Sequence, residues 1–379
     1  EGLELVAEIT QPLQSIIEIE KSRLPSHRII SNPSITMQSE RPRIGEVVRS
    51  VQLLYGADEI DAYLKVAGRR LRYAFVSVPN VGAVSIPLLR LHAPDCVVGY
   101  DMVDFHALRL RREAELTSSA SKLAEANAME KLEVALFRGA DIVFAVSDTE
   151  RALVNECVPT ARVYSLPNAF QVPASKPRGL EGRKNILFLG RLWHSPNFDA
   201  VDWFARDIWP MIRRAKPDIE FHVAGSNMDR RVYELEKYDG VKIIGYVNDL
   251  PAFFDGGRVF VAPLRFGAGM KGKVGQGMAF GLPVVTTSVG AEGMSIVNER
   301  EILLADTTEA FASAVIRLLE SDSDWLRLQK EARSFVEQNL SPASLQITLR
   351  AAFSNRETPS TTSTETQPHA SPPCGVVHD

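Results

Sequence analysis

Short runs of consecutive apolar residues alternate with longer amphipathic stretches over most of the chain. In the first half, RYAFVSVP (72–79), DCVVGYDMVD (95–104), DIVFAVS (141–147) and RVYSLPN (162–168) read as strands. Between them, VGAVSIPLLRLHAP reads as a helix with a proline inside. HALRLRREAELTSSASKLAEANAMEKLEVALFRGA reads as one long helix or two, ending at Gly139. Ser147 or Asp148 is placed to cap the next helix. The second half repeats the alternation: KNILFLG (184–190), EFHVAGS (220–226), VKIIGYV (241–247), RVFVAPL (258–264), PVVTTS (283–288) and EILLAD (301–306) are strand-like, with helices between. Strands apolar on both faces belong in parallel sheets covered by helices. Their alternation with helices predicts doubly wound α/β domains.

The pattern is weaker at both ends. LELVAEITQPLQSIIEIEKSRL has mixed apolar spacing broken by Pro12, and SNPSITMQSERPR (31–43) reads as a loop. EVVRSVQLLYG (46–56) reads as a helix closed by Gly56. The plan is an irregular segment or short helix in 1–45, an incomplete doubly wound domain over 46–170, and a Pro/Gly-rich linker at 171–183. A second domain follows over 184–340, then a helix at 341–354. Residues 355–379 are rich in Pro, Ser and Thr, too poor in apolar surface to offset chain entropy, and are expected to be disordered.

Composition narrows the function. Of 379 residues, 43 are Lys or Arg and 47 are Asp or Glu, for a net charge of −4. That balance lacks the broad positive field of non-specific nucleic-acid binding. Cys96, Cys157 and Cys374 are too few and too scattered for a disulfide framework or a zinc knuckle, which fits a reducing compartment. No run approaches the ~20 apolar residues of a membrane span, and no signal peptide is visible. The chain begins at Glu1 rather than Met, as a piece of a longer protein would.

In open α/β sheets, ligands bind beyond the carboxyl ends of the strands, and two such domains in tandem leave a cleft between them. The residues after each strand are therefore the candidates. Gly190 and Arg191 follow NILFL, where a guanidinium can fork onto a phosphate; the plainer reading is a surface arginine in a turn. Gly225 ends FHVA in what an ordinary βα turn also explains. The densest segment is RFGAGMKGKVGQGM (265–278), with glycines at 267, 269, 272, 275 and 277, and with Arg265, Lys271 and Lys273. A glycine-rich loop entering a helix presents unpaired N–H groups and the positive end of the helix dipole to an anion. It is not a Walker loop. Asp101, Asp104 and His106 follow the strand CVVGY as two carboxylates and a histidine in one polar cluster, with Asp104 reading equally as catalytic or as a helix cap. No histidines have metal-ligand spacing, no G-x-S-x-G serine elbow is present, and no G-x-G-x-x-G opens a βαβ unit.

NILFLGRLWHSPNFDAVDWFARDIWPMI, FHVAG, VKIIGYVNDL and APLRFGAGMKGKVGQGMAFGLPVVTTSVGAEGM together resemble the nucleotide-sugar half of the retaining GT-B glycosyltransferases. The likeness covers about 184–340. YDMVDFHALRLRREAEL (100–116) resembles the first-domain segment of the bacterial cell-wall and O-antigen branch. The resemblance implies a GT-B fold: two Rossmann-like domains facing a central cleft, the N-terminal one for the acceptor and the C-terminal one for the donor. It implies that Arg191 meets the donor diphosphate. The family's lysine falls near Pro196 or Asn197 here, so Lys271 or Lys273 stands in for it. Tyr246 and Val247 match the backbone segment that recognises the nucleobase, with Gly190, Gly225 and Gly269 lining the donor site. Of the family's E-x7-E pair, the first falls on Ala268 and the second, which holds the ribose, on Gln276. His106, with Asp104 beside it, matches the histidine that lies against the transferred sugar. The strand and glycine loop that usually open such a chain are not found upstream of residue 72, so the first domain is expected to be truncated or diverged.

The implied function is transfer of a sugar from a nucleotide-diphosphate sugar to a glycan or lipid-linked acceptor in polysaccharide or cell-wall assembly. Retention is expected, with no metal and no cofactor. The expected location is the cytoplasm, with peripheral contact at the inner membrane as an option. The alternative is a non-catalytic relative that binds nucleotide or a partner subunit, favoured by Ala268 and Gln276. A nucleotide-sugar epimerase is the third reading.

Overall fold

The computed structural model describes residues 3–6, 28–32, 51–173, 179–226, 228 and 230–354. They fall into two compact units. The first takes the described parts of Glu1–Phe105, Ala128–Leu166 and Leu345–Asp379; the second takes His106–Asn127 and Pro167–Ser344.

The first unit is built on a seven-stranded sheet in the order β3-β2-β1-β4-β5-β6-β7. Its strands are β1 Leu3–Val6, β2 Arg28–Asn32, β3 Val51–Tyr55, β4 Leu71–Ser77, β5 Val97–Asp101, β6 Ile142–Ala145 and β7 Val163–Ser165. All neighbours pair in parallel. Three expectations are corrected here. Residues 1–45 hold two strands rather than only irregular chain. The stretch 46–56 holds β3 where a helix was expected, and the helix Gly56–Ala67 starts after it. The strands missing upstream of residue 72 are present, and β1 lies in the sheet between β2 and β4. Four residues, one of them Glu4, are too short a run for periodicity to mark, and β1 is held by ladders on both sides. The opening loop after β1 and the tail 355–379 lie outside the described residues.

The helix Pro79–His92 keeps Pro87 inside it, and Ser147 caps Asp148–Cys157 by accepting from Glu150 N–H at 3.2 Å. The long stretch after β5 forms two helices, His106–Thr117 and Ala120–Gly139. Phe144 of β6 stacks on Phe75 with ring centroids 5.3 Å apart. Phe353, from the last helix Pro342–Ser354, lies 5.8 Å from Phe144 and edge-on to Tyr73 at 5.3 Å. Gly99 makes room: a Cβ there would lie 2.9 Å from both Phe144 and Phe353.

The second unit has a six-stranded sheet in the order β10-β9-β8-β11-β12-β13, again parallel throughout. The strands are β8 Asn185–Leu189, β9 Phe221–Ala224, β10 Val241–Gly245, β11 Gly257–Ala262, β12 Val284–Thr286 and β13 Leu303–Leu304. Ile186, Phe188, Phe204, Trp209, Phe221 and Phe311 are among its fully enclosed side chains. Arg183 is also buried: its guanidinium donates to the carbonyls of Phe254 (2.7 Å) and Gly257 (3.0 Å) and lies over the Trp325 ring. The strand order reverses between β8 and β11. A topological switch point of this kind opens a crevice at the strands' carboxyl ends.

Candidate functional site

The carboxyl ends of β8, β9 and β10 approach one another through glycines. Gly190 N–H donates to Ala224 O at 3.0 Å, and Gly225 N–H donates to Gly245 O at 2.9 Å. A Cβ on Gly225 would sit 1.8 Å from Gly190 O, so no other residue fits without moving backbone. Arg191 leaves β8 exposed, with no side-chain partner among the described residues. Tyr246, just beyond β10, is 72% exposed, and Val247 beside it is half-buried. Gly245 turns the chain there with φ +78°.

The glycine-rich loop leaves β11 and enters the helix Gly272–Ala279. Gly267 and Gly269 take φ values of +151° and +66°, which side chains disfavour. The three cations separate in role. Arg265 is committed to structure, forking onto Asp199 and lying over the Trp203 ring. Lys271 is buried; it donates to Gly269 O and lies 3.6 Å from a Glu292 oxygen. Lys273 donates to Asn197 Oδ1 and lies 5.4 Å from the Phe188 ring centroid. Burial first, then the charge of Lys271, pushes its pKa down to about 7. Asn197 is buried, and its amide also donates to Arg191 O at 2.9 Å. The side chain at 197 thus ties the loop after β8 to the helix after β11. Gln276 is half-buried on that helix, and Ala268 is buried in the loop.

Residues 183–321 match the family described as Glycosyl transferases group 1. This stretch is similar to a group 1 glycosyltransferase domain. Among curated proteins, an uncharacterized 44.6 kDa protein in the cps region of Klebsiella pneumoniae is 31% identical over 163 residues, 41% of this chain. The matching stretch spans 42% of that relative's length. Among solved structures, Anabaena Alr3699/HepE in complex with UDP and glucose aligns with TM-score 0.71 and 12% identity, over 93% of this chain and 99% of its own. Sucrose-phosphate synthase from Thermosynechococcus elongatus aligns with TM-score 0.69 and 14% identity, over 93% and 98%. The fold is GT-B, with two Rossmann-like domains.

Within the matched stretch, the structure gathers Gly190, Arg191, Asn197 and Lys273 around the β8–β11 switch point. Two residues that sequence reasoning passed over join the loop. Arg112, on the helix His106–Thr117, donates to Glu292 at 2.6 and 2.8 Å and to Gly267 O at 2.7 Å. Glu292 follows β12, so inspecting that strand end as well would have found it. Arg112 lies one turn beyond buried Leu108, a charge at core spacing.

His106 opens its helix in the second unit and is half-buried; Asp104 is half-buried and belongs to the first. The carboxylate most enclosed in that segment is instead Asp101, at the end of β5. Its Oδ1 accepts from Val103 N–H and its Oδ2 from Ser77 Oγ, both at 3.1 Å. Burial raises its pKa to about 6, against those two hydrogen bonds. Val78 and Val103, on either side, hold φ of 63° and 65°. Such angles are strained for β-branched residues. Among the described residues, no three His, Cys, Asp or Glu side chains converge to hold a metal, and no helix is long and apolar enough to cross a membrane.

Proposed function

We propose that this protein transfers a sugar from a nucleotide-diphosphate sugar to a glycan or lipid-linked acceptor during polysaccharide assembly. Transfer proceeds with retention and without a metal, and the protein works in the cytoplasm, peripheral to the inner membrane. The observation that carries the reading is the switch point between β8 and β11. There an exposed Arg191 and the Lys273 ammonium are joined through Asn197, at the mouth of a glycine-rich loop. Neither cation has a carboxylate partner among the described residues, which leaves both charges for an anionic ligand.

In this reading Arg191 and Lys273 bind the diphosphate, with Lys271 adding charge behind the loop. Gly190, Gly225 and Gly269 let the backbone approach. Tyr246 and Val247 present backbone to the base, and Gln276 accepts from the ribose through its amide oxygen. Charge develops on the departing diphosphate as the sugar–oxygen bond breaks. Cations fixed in advance at that position stabilise the transition state more than the ground state. His106, with Asp104 beside it, lies against the sugar. The leaving phosphate takes the acceptor's proton, so the sugar is replaced on one face.

A thermal-shift titration with UDP, GDP, ADP, dTDP and CMP tests this. UDP comes first because the HepE structure contains it. Ligand at 100 times its Kd stabilises by about 2.7 kcal/mol. One nucleoside diphosphate should stabilise the protein, and Arg191→Ala and Lys273→Ala should each lose the shift while remaining folded. No shift with any of the five would replace the transferase with a partner-binding relative, the reading that Ala268 and Gln276 favour.

A further inference from the structure

We propose that Arg112 and Glu292 form a positioning latch that locks the helix His106–Thr117 onto the glycine-rich loop. It rests on the reading of that loop as the diphosphate site.

The contact is not an ordinary surface ion pair. The guanidinium meets the carboxylate with both terminal nitrogens, at 2.6 and 2.8 Å, and the two side chains are 29% and 21% exposed. A planar fork fixes distance and orientation together, which a single-point lysine contact does not. The same Arg112 Nη1 also donates to Gly267 O at 2.7 Å, inside the loop and at a residue with φ +151°. One side chain thus ties a helix to a carboxylate and a loop carbonyl at once. Arg112 lies six residues beyond His106, about 9 Å along a rigid helix. Holding Arg112 therefore sets where that histidine stands relative to the loop.

Glu292 is itself held. Thr287 caps the short helix Ser288–Ala291, accepting from Gly290 N–H at 3.0 Å, and donates its hydroxyl to Leu264 O, where the glycine-rich loop begins. The Glu292 carboxylate also lies 3.6 Å from Lys271 Nζ. Burial pushes its pKa up, but Arg112 and Lys271 outweigh that and hold it below the usual range, so it stays ionised. One carboxylate is therefore shared by two cations, leaving the loop a net positive charge.

The test follows amide hydrogen exchange in peptides covering 106–117 and 265–275, together with calorimetric titration of UDP at pH 7. It compares the full chain with Arg112→Ala, Arg112→Lys and Glu292→Gln, each checked for folding by circular dichroism. Exchange in both peptides should rise at least about tenfold in Arg112→Ala and Glu292→Gln, and return part-way in Arg112→Lys. UDP affinity should move in opposite directions. Arg112→Ala removes a cation and lets Glu292 close on Lys271, so binding weakens about tenfold. Glu292→Gln removes an anion beside Lys271, so binding holds or tightens. Unchanged exchange in both variants overturns the latch. Equal loss of UDP affinity in all three variants also overturns it, because that is simple structural damage. If exchange responds as expected but the wild type binds no nucleotide, the latch stands and the diphosphate reading fails.

Discussion

Lys273 should make nucleotide binding depend steeply on pH. Its ammonium faces an amide oxygen and an aromatic ring, and burial, then Lys271, lowers its pKa from 10.5 to about 7. A bound diphosphate would favour the charged form and raise that pKa again. Binding above pH 7 therefore takes up a proton, while the ligand's own phosphate, with a pKa near ~6, is already ionised. Each pH unit above 7 should weaken UDP binding by up to about tenfold, or about 1.4 kcal/mol. Titration calorimetry at pH 7, 8 and 9, in buffers of different ionisation enthalpy, counts the protons directly. Uptake should be about half a proton at pH 7 and approach one by pH 8. Lys273→Arg, always charged, should flatten the profile and keep much of the affinity. Lys273→Met should flatten it and lose about 1.5–3 kcal/mol, the worth of a hydrogen bond to a charged group. The unliganded protein should trend oppositely. Between pH 7 and 10.5 the unfolded chain holds a proton here that the folded one does not, so this group's contribution to stability rises with pH. A flat wild-type affinity profile with no proton uptake would refute the reasoning.

Asp101 gives a prediction of the other sign. Its folded pKa of about 6 stands above the ordinary 3.8, so its charge costs stability at neutral pH and nothing below the ordinary value. Asp101→Asn keeps an oxygen for Val103 N–H, and the Ser77 hydroxyl can turn to accept. Its stability relative to wild type should grow by about 2.4 kcal/mol between pH 4 and 7, read by urea unfolding at each pH; a difference that shrinks over that range would contradict the assignment. Gly225→Ala places a methyl 1.8 Å from Gly190 O, against backbone that cannot swing aside. It should cost about 3 kcal/mol and abolish UDP binding, and an unchanged melting temperature would show that the strand ends are looser than described.

The strands that sequence reading located, such as β6, β8 and β11, are mostly apolar runs whose central residues are buried on both faces. Their burial needs no partner to be inferred. Two of the first three strands were hidden for different reasons. Leu3–Val6 is short and carries a glutamate. Val51–Tyr55 follows EVVRS closely enough that the combined stretch mimics a helical face, and only the ladder to β2 makes it a strand. The cations divide the same way. Local pattern marked Arg265, Lys271 and Lys273 alike, yet only tertiary contacts distinguish Arg265, tied to Asp199, from Lys273, which faces Asn197. Arg112 and Glu292 are 180 positions apart, beyond the reach of any periodicity.

The last helix alters the order in which the molecule can be made. Phe353 completes the aromatic cluster of the first unit against Tyr73 and Phe144, and Arg162 donates to Ala352 O at 3.3 Å. During synthesis that sheet leaves the ribosome first but lacks one wall of its core until about residue 354 has emerged. The second unit, drawn from His106–Asn127 and Pro167–Ser344, has all its residues before then. The second unit is thus positioned to fold ahead of the first, reversing the usual N-to-C order of domain folding. A chain ended just before Leu345 and released from the ribosome should carry a folded second unit, with the aromatic face of the first sheet still open to chaperones.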